Sequence, residues 1–247
     1  MVQRIRVILF SALYVVLNSP FLPAQESPVS NPSQRQFVRD LFDSRQYYRA
    51  LSEIYRLEYH SGLVLDKKIN LILLSSHYHL DQHEVVIDRS KHLLEASPAG
   101  TELAFRYEIG KWMTASYIDL EKPEQAEISW ERYCAPYDPD PFPSDPVHLK
   151  RIDPDRARLY SAILPGSGLL MSGEYGKATV SFLLNALFIA GIYHFGSDQQ
   201  YGIAGLLTFF EVGWYAGGQK AAYEAAENYN RNTLHSFQKD WISSKLH

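Results

Sequence analysis

His77, His79 and His83 are the closest-set imidazoles in the sequence. On one continuous helix His79 and His83, four residues apart, would face the same side, as zinc ligands do. The Leu80-Asp81-Gln82 stretch between them reads as a turn, and no HExxH or cysteine partner is present. The expectation is a solvated turn and no metal site. Asp138, Asp140, Asp145 and Asp153 lack the glycine and terminal glutamate of a calcium loop. The lone cysteine, Cys134, excludes an internal disulfide. There is no glycine-rich phosphate loop after a strand, no serine nucleophile elbow and no Cys-His signature. The residues therefore predict no catalytic group, no cofactor and no enzyme.

Glu211 is the carboxylate whose surroundings say most. It interrupts an apolar run from Tyr201 to Gly218. A first run from Ala178 to Phe195 contains no ionisable residue but His194, and the polar Gly196–Gln200 separates the two. Helices of this length sit at the lower limit for crossing a bilayer. The pattern predicts a glycine-rich apolar helical hairpin, with membrane contact over residues 160–218. The alternative is a soluble bundle whose two central helices are apolar all round, and Gly202, Gly205 and Gly213 keep it open. An ionisable group inside a span is costly and takes a partner. Asn185 and Glu211 are equally far from the loop near Asp198, so the two are expected at one depth, hydrogen-bonded as a polar clamp. Small residues four apart, Ala186/Ala190 and Gly213/Gly217, permit close helix approach.

A chain of 247 residues has room for one or two domains. A net charge of -4 and a pI near 6.1 argue against nucleic-acid binding. Mean hydropathy of -0.24 is too polar for a multi-span transporter. Residues 1–24 read as an export signal, with Arg4 and Arg6 before the apolar Val7–Leu17 and a cleavage site at Leu22-Pro23-Ala24. Residues 25–36, rich in Pro, Ser and Asn, read as a flexible lead-in.

Residues 37–136 turn to helical periodicity with large aromatics. Three helix–turn–helix units are predicted. They are Phe37–Phe42 with Tyr47–Leu57, Lys67–Tyr78 with Glu84–Leu94, and Glu102–Ile118 with Glu124–Tyr133. Their turns fall near Asp43–Gln46, Asp81 and Glu121–Pro123, roughly 40 residues apart. Tyr47 with Ala50, Glu124 with Ala126, and the closing Pro98 and Pro136 make this stretch resemble the tetratricopeptide repeat family. The second unit departs from it at Val85, Val86 and Ile87. The resemblance implies an all-α helical-repeat solenoid that binds a protein or peptide, and nothing about catalysis. The aromatics themselves read as inter-helix packing.

Residues 137–150 hold prolines at nearly every second position from Pro136 to Pro146 and read as an extended spacer. Residues 151–235 then resemble a C-terminal membrane domain of uncharacterised bacterial envelope proteins. The resemblance rests on Ser161-Ala-Ile-Leu-Pro165-Gly166-Ser-Gly168, on Gly173-Glu-Tyr175-Gly-Lys-Ala178, and on Phe209-Phe-Glu211-Val-Gly213-Trp214-Tyr215. It departs at Leu169–Met171, where a Gln and an aromatic are usual. With Asn185 and Gly217 these are the residues expected to build the hairpin, Ile163–Met171 forming a re-entrant or interfacial segment. Residues 236–247 read as a peripheral tail. The combined expectation is a bacterial cell-envelope scaffold, anchored in the inner membrane with its repeats in the periplasm. The alternative is an accessory subunit of a membrane transport or insertion complex. Lys177 and Lys220 flank the outer ends of the two runs while their loop has no cation, so the positive-inside tendency opposes the topology that export implies.

Overall fold

The computed structural model describes residues 32–61, 65–96, 102–146 and 148–246, and every regular element among them is helical. The expected signal peptide and Pro98 lie outside the described residues. The chain divides into two compact units, Met1–Leu80 and Asp81–His247.

In the first unit α1 (Pro32–Asp43), α2 (Tyr47–Ser61) and α3 (Lys67–His79) pack on one another. Proline is favoured at a helix start because its missing N–H is not needed there. Pro32 starts α1 accordingly, so the helix reaches into the predicted lead-in and residues 32–36 are helical rather than flexible. Ser44–Gln46 joins α1 to α2, with Arg45 left-handed at φ 57°. Val38, Leu41, Ala50, Leu51, Ile54, Leu73 and Leu74 form the buried side of this unit. Asp66 caps α3 by accepting the Ile69 N–H at 2.9 Å and pairs with Arg35 at 2.9 Å.

The second unit opens with α4 (His83–Ala96), α5 (Leu103–Asp119) and α6 (Pro123–Ser129). The last runs straight into one π-helical turn, Trp130–Cys134, where the sequence predicted a plain helix to Tyr133. Asp81 and Glu121 are left-handed, at φ 56° and 55°, like Arg45. Each is the middle residue of a three-residue turn, so the predicted turns recur with one backbone geometry. After the π turn come α7 (Pro154–Ile163), α8 (Ser167–Met171), α9 (Tyr175–Ser197) and the 46-residue α10 (Tyr201–Leu246). At 1.5 Å per residue α10 is about 69 Å long. It packs on α5, α7, α8 and α9, which makes it the axis of the unit.

Two expectations fail where α10 ends. Residues 236–246 continue α10 rather than forming a peripheral tail, and Gln238 and Ile242 are buried there. The proline-rich stretch is a strap folded onto that end, not an open spacer. Trp130 donates its indole N–H to the Asp140 carbonyl at 2.9 Å. Gln238 donates to the Pro143 carbonyl at 3.1 Å, and Phe142 packs edge-on against Trp241, which in turn meets Trp130 at 4.5 Å. Lys245 donates to Asp138 at 2.7 Å and to Asp140 at 2.6 Å. Lys111 on α5 caps the helix by donating to the Lys245 carbonyl at 2.9 Å. Lower down, Asn230 holds the Ile152 backbone with two hydrogen bonds of 2.8 Å.

Burial alone would raise the Asp138 carboxyl, but the hydrogen bonds from Lys245, the Asp140 N–H and the Tyr107 hydroxyl outweigh it and hold it below the usual carboxylate range. A lowered folded value stabilises the fold above the unfolded pKa, and that stabilisation is lost as pH falls through the folded value. Lys245→Met is therefore expected to cost about 2–3 kcal/mol at neutral pH, because two carboxylates lose a charge-assisted donor. Urea unfolding followed by tryptophan fluorescence should show the gap between wild type and Lys245→Met closing below about pH 4.

Candidate functional site

The predicted site residues lie at and beyond α7. Asp153 caps this helix, accepting the Asp155 and Arg156 N–H groups at 3.0 and 3.2 Å, with Pro154 at its first position. Leu164 ends it just before Pro165, as the residue preceding a proline tends to. Gly166 is left-handed at φ 87°, and a Cβ there would lie 2.4 Å from the Ala178 carbonyl oxygen. A Cβ on Gly168 would lie 1.9 Å from the Ala157 oxygen, and its N–H donates to the Ser161 hydroxyl at 3.0 Å. The Pro-Gly-x-Gly motif is thus a place where two helices nearly touch backbones. Ile163–Met171, expected to be a re-entrant or interfacial segment, is built as a helix end, a left-handed turn and the short α8. Gly173, at φ 78°, makes the turn into α9, whose first residue is the exposed Tyr175.

From that turn α9 runs to Ser197, and Asp198–Gln200 reverses the chain, Gln199 being left-handed at φ 60°. The first half of α10 then lies antiparallel beside α9. Gly191 sits against Leu207, and Gly218 against Ser181. In that register Asn185 and Glu211 differ in level by about 3–4 Å, less than one turn. The hydrogen bond expected between them is not made. Asn185 donates to the Ser181 carbonyl at 2.6 Å, while its own Oδ1 and the Glu211 Oε2 are buried without partners. Both atoms are acceptors when Glu211 is ionised, and the Asn185 amide N–H that could serve the carboxylate is turned to the Ser181 carbonyl instead.

A Cβ on Gly213 or Gly217 would meet open space. With Trp214, Phe209 and Gly205 they line one wall of an apolar groove whose other wall is α9, enclosing about 1180 Å³. Tyr215 on the opposite side donates its hydroxyl to the Ala162 carbonyl, tying α10 to α7. The groove and its Ser181 were not anticipated. The only sequence signal was a serine four residues before Asn185.

Among the described residues α9 alone is long and apolar enough to cross a membrane, with mean hydropathy 1.6 and only 17% of its apolar window buried. Two such helices were expected. The first half of α10 falls short because Glu211, Thr208 and five glycines between Gly202 and Gly218 dilute its apolar side chains.

No protein-family model, curated protein or solved structure matches this chain. The two family resemblances therefore rest on the residues that carry them. Elsewhere the reactive side chains are engaged in structure. His77 shares a 2.8 Å hydrogen bond with the Tyr55 hydroxyl, and His79 stacks on Tyr47 at 4.5 Å. No group of three His, Cys, Asp or Glu among the described residues is placed to hold a metal ion. Burial pushes the Cys134 thiol up to about 12, so it carries almost no thiolate at neutral pH.

Gly168 and Gly176 make opposite demands. A Cβ on Gly176 meets open space, whereas one on Gly168 collides with backbone. Gly168→Ala is expected to destabilise the α7–α8 packing by about 2–3 kcal/mol through overpacking. Gly176→Ala, in the first turn of α9, should be neutral or slightly stabilising by its helix propensity. Thermal melting of the two variants side by side checks the difference.

Proposed function

We propose that this chain is a non-enzymatic bacterial cell-envelope scaffold. Its tetratricopeptide-like helical region binds a protein or peptide, and α9 with the first half of α10 anchors it as a transmembrane hairpin. The observation that carries the reading is the exposure of the apolar helices. A buried soluble core would hide them, yet Phe182, Leu183, Leu187, Phe209 and Val212 all face outward. Monomeric soluble proteins rarely leave apolar patches of that extent uncovered. Tyr201–Gly218 spans about 27 Å as a helix, close to the ~30 Å of a hydrocarbon core. Ile163, Leu164 and Met171 add exposed apolar side chains at the base of the pair, where an interface would lie.

On this reading the remaining part of α10, with Asn230, Gln238 and Lys245, stands outside the bilayer and fixes the anchor to α5 and the strap. The recurring three-residue turns and the packed helix pairs α1–α2 and α5–α6 support the tetratricopeptide-like reading. Tyr48 and Tyr59 are exposed on the first pair, as a partner-binding surface would require. The second reading is an accessory subunit of a membrane transport or insertion complex, acting through the hairpin. It is favoured by the groove, an apolar surface with a defined shape.

Carbonate extraction of the membrane pellet followed by detergent tests the anchor. Retention in carbonate and release by detergent is the expected result, and release in carbonate would reject it. Removing residues 175–218 should move the chain to the soluble fraction while the repeats still capture the partner. Loss of capture together with the hairpin would favour the accessory-subunit reading.

A further inference from the structure

The contact between α9 and α10 is fixed at two levels, where Ser181 lies against Gly218 and Gly191 against Leu207. The buried residues of α9 are Ala178, Ser181 and Asn185, spaced as one helix face is. On α10 the matching face runs through Leu207, Glu211, Gly218 and Ala222, the last packed with Ala178. Asn185 and Glu211 therefore stand on facing stripes between the two contacts, less than one turn apart in level.

At that level the polar atoms do not balance. Asn185 is 2% exposed, and its amide nitrogen is held by the Ser181 carbonyl at 2.6 Å. That bond fixes the amide, because turning it over would set two oxygens against each other. Its Oδ1 and the Glu211 Oε2 are left buried and without partners. No cation stands at their level. Lys177 is about 16 Å away along the helix axis and pairs with Glu174 at 3.2 Å. His194 is about 10 Å away on the same count, largely exposed and 3.8 Å from Asp198. Lys220, nine residues further along α10, pairs with Glu224 at 3.5 Å. Tyr175, Tyr193 and Tyr201 point outward. Tyr215, one turn from Glu211, spends its hydroxyl on the Ala162 carbonyl of α7. The last ionisable side chain of α7, Tyr160, is half exposed, and α8 has none. Two buried acceptors facing each other are costly to leave unpaired. A single proton satisfies both, since a protonated carboxyl gains an O–H donor.

We propose that the α9–α10 pair is a proton-binding site, in which Glu211 carries the proton on Oε2 and donates it to the Asn185 Oδ1. The proton comes from solvent, and no other bond is made or broken. Asn185 is the positioning residue, its oxygen aimed by the Ser181 carbonyl that holds its nitrogen. With the proton the two helices are clamped, and without it two bare oxygens face each other across an apolar contact. The site rests on the helix–helix contact and not on a bilayer, so this proposal and the anchor fail in separate experiments.

Infrared difference spectroscopy of the full-length protein in an ester-free detergent reads the proton directly at about pH 7, where an ordinary glutamate is ionised. Wild type minus Glu211→Gln should show one carboxylic-acid carbonyl band. In Asn185→Leu that band should move to higher wavenumber, because the acid has lost its acceptor. Thr208→Val, on the groove side of α10, should leave it in place. A carboxylate band instead of an acid band, or an acid band that Asn185→Leu leaves unmoved, would overturn the proposal. An acid band that disappears on adding sodium at constant pH would also overturn it, since a metal ion would then be the ligand. If the variants fail to fold, the wild type still decides: an acid band that shifts down in D2O must be present, and its absence refutes the site.

Discussion

A single unbroken helix of 46 residues, α10, joins the apolar pair to the packed end of its unit. No proline occurs after Pro165, so nothing covalent forces a break. The apolar half shares one hydrogen-bonded backbone with the end that carries Trp241 and Lys245. That end is held by several contacts: the Lys245 pair with Asp138 and Asp140, the Trp130–Trp241–Phe142 cluster, and the Lys111 cap on the Lys245 carbonyl. Alanines at 222, 225 and 226 let α7 and α8 approach the helix closely near its middle. The two halves of α10 thus solve different problems with different residues, small and aromatic in one, charged and hydrogen-bonding in the other.

The apolar pair leaves many large side chains outward and turns Ser181 and Asn185 inward. Asn185 is 2% exposed and Ser181 6%, while Phe209 is 74% exposed. That is the reverse of a water-soluble bundle, in which outward positions are polar. In water every outward phenylalanine or leucine would forgo about 1.5–3 kcal/mol of burial. In hydrocarbon the same arrangement costs nothing, and the inward polar atoms become the expensive ones. The orphaned oxygens of Asn185 and Glu211 and the hydroxyl of Ser181 fall in that inward set.

Much of the local structure was legible in the sequence. Pro123, Pro154 and Pro165 mark helix starts and a helix end where steric rules put them, and the turns at Asp81 and Glu121 stand where the periodicity breaks. The continuity of α10 was not legible. The second apolar run reads as ending at Gly218 and the domain at residue 235, yet one helix runs through both points to Leu246, held beside Ile152 by the Asn230 side chain. The strap was missed for a related reason. Prolines announce an extended chain but not what it lies on, and the contacts that fix it come from Gln238, Trp241 and Lys245, about a hundred residues away in sequence. For the apolar pair, the common depth of Asn185 and Glu211 followed from counting, whereas their failure to pair depends on side-chain direction, which counting does not give.

The depth of α10 residues in a bilayer tests the account most directly. Single nitroxide labels at positions 209, 212, 232 and 240, in a Cys134→Ala background reconstituted in liposomes, would be compared for collision with oxygen and with a water-soluble nickel chelate. Labels at 209 and 212 should collide with oxygen and be shielded from nickel, and those at 232 and 240 should do the opposite. Nickel reaching 209 and 212 as freely as 240 would mean the apolar half of α10 lies in water, and the anchor would have to be abandoned.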